Sequence, residues 1–391
     1  MYGELCRRIP RLDVSTVAGP HEQTDIGFPV HRMSFALRRA HRPINILRWT
    51  RWATRFVESN GITLVHAGNV RPTGYVAAMI RRRLGVPYIV YVHGKDLLKE
   101  RRKGIDRWMV RVGTREILGN AAAIVANSTT TAELAKDLLR SVGRGNACAR
   151  VHVVHPGADP ARFTGAVGSQ RRNAGDGPVL LSVARLVPRK GIDTVLRSLP
   201  AVLASHPTAT YVVVGSGPDL TRLEQLSHSL GVATHVRFVG DVSDELLPAC
   251  YAAADVFLLP TREILADDEI EGFGIVYLEA AAAGVPSIAA NVGGVADAVM
   301  DGVTGLMVRP DSPASVARAT LRLLDDAPLR TRLGVNARTN VERDLNWDRA
   351  AHEVMRIVGG VVPNPYESAS RRIESQTPIR ASRVVEQSHR Q

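Results

Sequence analysis

Cysteine is nearly absent from this sequence. Cys6, Cys148 and Cys250 are isolated and odd in number, which argues against a disulfide framework or a thiolate metal site and suits a reducing compartment. Aromatic residues make up only 5% of the 391 residues. No apolar run approaches the ~20 residues that cross a bilayer. The opening MYGELCRRIPRLD lacks the apolar core of a signal peptide. A cytoplasmic protein is expected. Acidic residues are scarce in one half only: residues 1–165 hold 27 Lys+Arg against 12 Asp+Glu, a net of +15, whereas residues 166–362 carry a net of −5. The basicity therefore belongs to one domain and its partner, not to general solubility.

What is present suits two domains, since the chain is long for a single core and 45% of it is hydrophobic. Short apolar runs alternate with helix-length amphipathic stretches, the pattern of parallel sheets flanked by helices. Strands are expected at LDVSTVA, ITLVHA, PYIVYVH, AAIVAN and VHVVHP, with a long helix over Ile46 to Asn60. In the second half they are expected at PVLLSVA, TYVVVG, VRFVG, DVFLLP, PSIAA and GLMV. The division is an N-terminal domain over residues 1–160, a linker over 161–177, a second domain over 178–345, a closing helix over 346–362 and a disordered tail over 363–391. A doubly wound half normally opens with a strand and a Gly-rich turn, yet this chain opens in a helix-like segment. Removing a central strand leaves buried backbone unpaired, so the first strand and its glycine loop are expected to be missing.

The segment EGFGIVYLE places Glu271 and Glu279 where a loop becomes a helix. A helical side chain leans toward its own N-terminus, so both carboxylates can face the helix mouth. The free N–H groups of Phe273, Gly274, Ile275 and Val276 favour an anion there. Carboxylates for hydroxyls beside N–H groups for phosphate suit a sugar nucleotide, although the pair alone could equally be a surface Glu pair. SVARLVPRKG leaves a strand with Arg185 and Lys190 five residues apart, a guanidinium fork and a mobile ammonium able to clamp a diphosphate. Gly215 and Gly217 in VVVGSGP allow close backbone approach to a ligand. His93 and Gly94 in YVHGKDL follow a strand and face the cleft. Asp267, Asp268 and Glu269 read as a solvated acidic loop, not a metal site.

Together these residues resemble family 4 of the retaining glycosyltransferases, which have the GT-B fold: two doubly wound parallel-sheet α/β domains facing a cleft. The resemblance runs over VHG at 92–94, VANS at 125–128, VVHPGAD at 153–159 with Phe163, SVARLVPRKG at 182–191, VVVGSGP, VRFVGDVSDELL, EGFGIVYLEAAAAGVPSIA, NVGGVADAV and DGVTGLMV, in the family's order. It implies that Arg185 and Lys190 bind the donor diphosphate and that Glu279 binds the ribose hydroxyls. Glu271, Gly272 and the N–H groups of Phe273 to Val276 hold the transferred sugar and its phosphate. His93 contacts the sugar from the facing domain, and the base rests near Val242. The segment from Arg262 to Ala289 looks most like lipid- and inositol-directed mannosyltransferases, which favours GDP-mannose over a UDP-sugar as donor. The resemblance also implies retention, with the acceptor hydroxyl attacking the face from which the nucleotide leaves. The leaving phosphate accepts its proton, and no metal or other cofactor is expected.

A lipid-linked or saccharide acceptor is expected. In ILRWTRWATRF, Arg48, Arg51 and Arg55 recur on one helix beside Trp49, Trp52 and Phe56. Such a helix can lie at an anionic membrane surface, giving a peripheral position on its inner face, or its aromatics can face the core. Arg81 to Arg83 and Arg101 to Lys103 add to the basic half. No nucleic-acid-binding signature is present. A catalytically silent nucleotide-sugar-binding protein and a GT-B sugar-nucleotide epimerase are the competing readings.

Overall fold

The computed structural model describes residues 14–18, 30–36, 42–100, 107–164, 177–264 and 270–362. Its first elements are two strands, β1 (Val14–Ala18) and β2 (Val30–Ala36), paired in parallel as a sheet of their own. VHRMSFA, which forms β2, carries no strand expectation from sequence. Residues 19–29, between β1 and β2, lie outside the described residues. So do Arg101–Lys103, Asp267–Glu269, residues 165–176 of the linker and the tail from residue 363.

The first large sheet runs β3 (Val65–Ala67), β4 (Tyr88–Val92), β5 (Ala123–Ala126) and β6 (Val151–Val153), all parallel and in sequence order. β4 and β5 are buried along their whole length, which is why they read as unbroken apolar runs and not as alternating ones. The Pro43–Asn60 helix buries Trp49, Ala53 and Val57 against Val76 and Ile80 of the Thr73–Leu84 helix. Trp52 stacks on Phe56 at 5.2 Å. Arg48, Arg51 and Arg55 remain exposed on the opposite side, as do Arg81, Arg82 and Arg83 at the end of the neighbouring helix. Trp49 thus faces the core, as one of the two sequence readings of this helix has it, while the arginines stand in solvent.

The second sheet comprises β7 (Val179–Val183), β8 (Thr210–Val214), β9 (Val236–Gly240), β10 (Val256–Leu259), β11 (Ser287–Ala290) and β12 (Gly305–Val308). Its order is β12-β11-β10-β7-β8-β9, parallel throughout. The winding reverses between β7 and β10. In such a sheet the ligand crevice opens beyond the carboxyl ends of the two strands at the reversal. The segments carrying Arg185–Lys190 and Glu271 are the ones that leave β7 and β10.

The chain crosses between domains twice, and the two crossings run side by side. The Ala158 N–H donates to the Leu345 carbonyl at 3.0 Å. A Cβ at Gly157 would lie 2.2 Å from the Asn346 carbonyl carbon, so only glycine lets the two strands of the crossing touch. After the second crossing the Trp347–Val361 helix, capped by Asn346, returns to the first domain. There Ala350, Ala351, Val354, Ile357 and Val358 cover Ile89, Tyr91, Ala123 and Val125. The short Pro160–Thr164 helix after the first crossing puts Phe163 into the second domain's core. No described helix is long and apolar enough to cross a membrane.

Candidate active site

The turn that carries the basic residues is pinned to the end of β10. Pro188–Lys190 forms one 3₁₀ turn closed by Gly191 at φ +70°, where a Cβ would come 2.1 Å from the Pro260 carbonyl oxygen. Arg262, just past β10, donates its backbone N–H to the Arg189 carbonyl at 2.8 Å and its Nε–H to the Pro188 carbonyl at 2.9 Å. Its guanidinium also pairs with Asp193 and Asp311. The strand ends at the sheet reversal are thereby locked together, and side chains of both converge.

Glu271 is the point of convergence. Lys190 Nζ donates to Glu271 Oε2 at 2.5 Å, and Arg189 donates to the same oxygen at 2.7 Å. Burial pushes the Glu271 carboxyl up, but Lys190 and Arg189 outweigh it and hold the group below its ordinary value. Burial lowers the Lys190 ammonium, with Arg189 and Arg185 acting the same way against Glu271. Lys190 is therefore not the mobile ammonium that the spacing suggests. It is 8% exposed and already bound to a carboxylate. Arg185 is exposed, and its guanidinium has no partner among the described residues.

Glu271 and Glu279 have different partners, although both belong to the same loop-and-helix segment. The Ile275–Ala282 helix starts after Gly274, which holds φ +95°. No backbone acceptor among the described residues takes the N–H groups of Phe273, Gly274, Ile275 or Val276. Ile275 is 42% exposed, and Phe273 is buried with its ring 5.5 Å from His155. Glu279, in the second turn, accepts the Tyr251 hydroxyl at 2.7 Å. Burial raises its carboxyl against the opposing effects of Tyr251 and Arg162.

Gly272 is one of the contacts between the two domains. A Cβ there would meet the His93 carbonyl oxygen at 2.5 Å and Asn127 Nδ2 at 3.0 Å. His93 itself is exposed, with Nε2 3.1 Å from the Gly68 carbonyl oxygen. Gly294 completes the contact, since its Cβ would lie 2.1 Å from the Gly272 carbonyl and 2.6 Å from Ser128 Oγ. One expectation changes its physical reason. At Gly215 and Gly217 the space of the missing side chain is taken by the protein's own Ala184 and Leu186 carbonyls, at 2.1 and 2.2 Å, not by a ligand. Val242, half-buried, packs against the second domain's core. Arg189, Tyr251, Arg262 and Asp297 carry interactions that residue spacing does not signal.

Comparison with known proteins gives the class. Residues 169–340 match the family model of glycosyl transferases group 1, and residues 4–157 match the glycosyl transferase 4-like domain. The fold is that of solved glycosyltransferases, such as Anabaena HepE in complex with UDP and glucose. That structure is 20% identical with a TM-score of 0.71, covering 92% of this chain and 94% of that one. The chain belongs to the family 4 glycosyltransferases and has the GT-B fold. Among its relatives is the GDP-mannose-dependent α-(1-6)-phosphatidylinositol monomannoside mannosyltransferase of Mycolicibacterium smegmatis, 32% identical over 78% of each chain. The protein of that name from Mycobacterium tuberculosis is 40% identical over 54% of this chain. There the match spans only 56% of the relative's length. The D-inositol 3-phosphate glycosyltransferase of Salinispora arenicola is 35% identical over 74% of this chain and 67% of its own.

Proposed function

We propose that this glycosyltransferase moves a mannosyl group from GDP-mannose to a lipid-linked or saccharide acceptor, with retention of anomeric configuration. The observation that carries this reading is the gathering of Arg185, Lys190, Glu271 and an open helix N-terminus at the sheet reversal. Names of relatives support GDP-mannose over a UDP-sugar and an inositol-phosphate headgroup as acceptor.

In the proposed mechanism the donor diphosphate lies against Arg185, Lys190 and the N–H groups of Phe273 to Val276. These groups stabilise charge as the nucleotide leaves. Glu271 and Gly272 hold the transferred sugar and His93 meets it from the facing domain. Glu279 takes the ribose hydroxyls, and the base rests near Val242. The acceptor hydroxyl attacks the face that the nucleotide vacates, and the departing phosphate oxygen takes its proton. Because these cations and dipoles serve the leaving group, added metal is not expected to change turnover. The exposed arginines of the Pro43–Asn60 and Thr73–Leu84 helices would hold the first domain at an anionic membrane surface.

The test is transfer by purified protein to phosphatidylinositol mannoside, from GDP-mannose and UDP-glucose in parallel, with and without EDTA. An α-linked mannoside from GDP-mannose, made equally fast in EDTA, is the expected result. Faster transfer from UDP-glucose, or a β-linked product, would overturn the corresponding part.

A further inference from the structure

Glu279 sits half-buried in a helix, and one hydroxyl group meets it. Tyr251, at 0% exposure, donates to Oε2 at 2.7 Å. Among the described residues Oε1 has no partner. The ring of Tyr251 is fixed on both sides, edge-on to Phe163 at 5.7 Å and 75°, and tilted against Phe257 at 5.7 Å and 46°. Phe163 belongs to the Pro160–Thr164 helix, the first element after the chain enters the second domain. Its neighbour Arg162 donates to the Asp244 carbonyl at 2.5 Å and lies 3.5 Å from the Asp244 carboxylate. The same short helix thus touches the loop after β9 and, through one aromatic ring, the Glu279 carboxylate.

We propose that Tyr251 is a positioning residue for donor binding, its hydroxyl holding Oε2 of Glu279 so that Oε1 stays free for the donor's ribose. The role depends on Glu279 being the ribose-binding carboxylate, as proposed above. An ionised carboxylate accepts on both oxygens, whereas protonation turns one of them into a donor. Burial works against that state at Glu279, while the Tyr251 hydroxyl and the Arg162 charge support it and Asp244 opposes it. Tyr251 therefore fixes the direction of one carboxylate oxygen and favours the charged state against burial. A core aromatic at this position would need no hydroxyl, and the hydroxyl has no other acceptor among the described residues.

Tyr251→Phe removes the hydroxyl and keeps the ring. The expected result is a donor KM raised about tenfold, equivalent to about 1.4 kcal/mol, with kcat within about threefold. The acid limb of kcat/KM for the donor, which reports the free enzyme, should move to higher pH. Phe163→Leu, which keeps the hydroxyl and loosens the ring, should raise the same KM less and leave the acid limb in place. Glu279→Gln separates the two levels. If it leaves donor KM unchanged, Glu279 does not bind ribose. If it raises KM while Tyr251→Phe moves neither KM nor the acid limb, Tyr251 is only a core residue and the inference fails. Should Tyr251→Phe not fold, an unchanged donor KM in Phe163→Leu overturns it.

Discussion

The Asp297 carboxylate of the second domain accepts the Thr129 backbone N–H of the first at 2.5 Å. The same oxygen lies 3.1 Å from His155 Nε2, on the segment that leads to the crossing. Thr129 opens the Thr129–Ser141 helix, so a carboxylate from one domain meets the positive end of a helix in the other. Close by, Thr130 donates its hydroxyl to the Gly293 carbonyl at 2.6 Å. These bonds fix how the two walls of the cleft meet.

Asp297→Ala should therefore lower kcat/KM more than it lowers stability. A hydrogen bond to a charged group contributes ~1.5–3 kcal/mol, so a loss of about ten- to a hundredfold is expected, with a more open molecule by small-angle scattering. Burial raises the Asp297 carboxyl, but His155 and Thr129 reverse the shift and lower it. The interdomain bond is thus fully present above the ordinary aspartate range and lost only as pH falls through the lowered value. Unchanged kinetics and an unchanged scattering profile would remove the link from the mechanism.

Arg185 and Lys190 should separate rate from stability. Arg185 is exposed and has no partner among the described residues, so Arg185→Ala should leave the melting temperature in place. Loss of one donor to the leaving group costs ~3–4 kcal/mol in analogous sites. Lys190→Ala should lower both, because it leaves buried Glu271 with Arg189 alone, and breaking a buried pair costs up to ~3–5 kcal/mol. A rate loss below tenfold in both variants would remove the proposed role.

Glu271 makes stability pH-dependent with a defined sign. Its folded pKa is lowered, so the stabilisation is complete above the unfolded carboxylate's pKa and drains away as pH falls through the folded value. Glu271→Gln should be less stable at neutral pH and show a shallower loss in acid. Urea unfolding between pH 7 and 4 measures this, and parallel curves for the two proteins would contradict it.

At the first domain's surface, replacing Arg48, Arg51 and Arg55 with Ala should weaken association with anionic vesicles. Each basic residue near such a surface contributes ~1 kcal/mol, so the three together are worth roughly a hundredfold. Association should fall as salt rises. Sedimentation with anionic and with neutral vesicles is the measurement, and equal binding to both would rule the surface out.

Much of this architecture is legible in the sequence because its strands are buried on both faces. DVFLLP and PSIAA read as unbroken apolar strands, and the structure makes them β10 and β11 in the interior of the sheet. ITLVHA yields only Val65–Ala67 as strand, since Ile62 leaves the preceding turn to pack beside Trp49. VHRMSFA, with His31 and Arg32 interrupting its apolar residues, lacks that continuity and still pairs with β1. Lys190 and Glu271 are legible as candidates because they lie on the segments that leave β7 and β10, beyond the carboxyl ends of those strands. Their pairing with each other is not, because it spans 81 residues and depends on Gly191 resting on Pro260. Tyr251 in PACYAAAD has the surroundings of any core aromatic, and only the folded chain shows where its hydroxyl ends.

The returning Trp347–Val361 helix makes the first domain discontinuous in sequence. Its sheet has one face finished by residues that the ribosome adds only after the whole second domain has been made. Until then Ile89, Tyr91, Ala123 and Val125 lack the cover that this helix gives them, and the first half of the chain must wait with that apolar face open to water. A fragment cut at the crossing should aggregate for the same reason. A fragment in which the crossing is bridged directly to Asn346, omitting the second domain, should stay monomeric and fold.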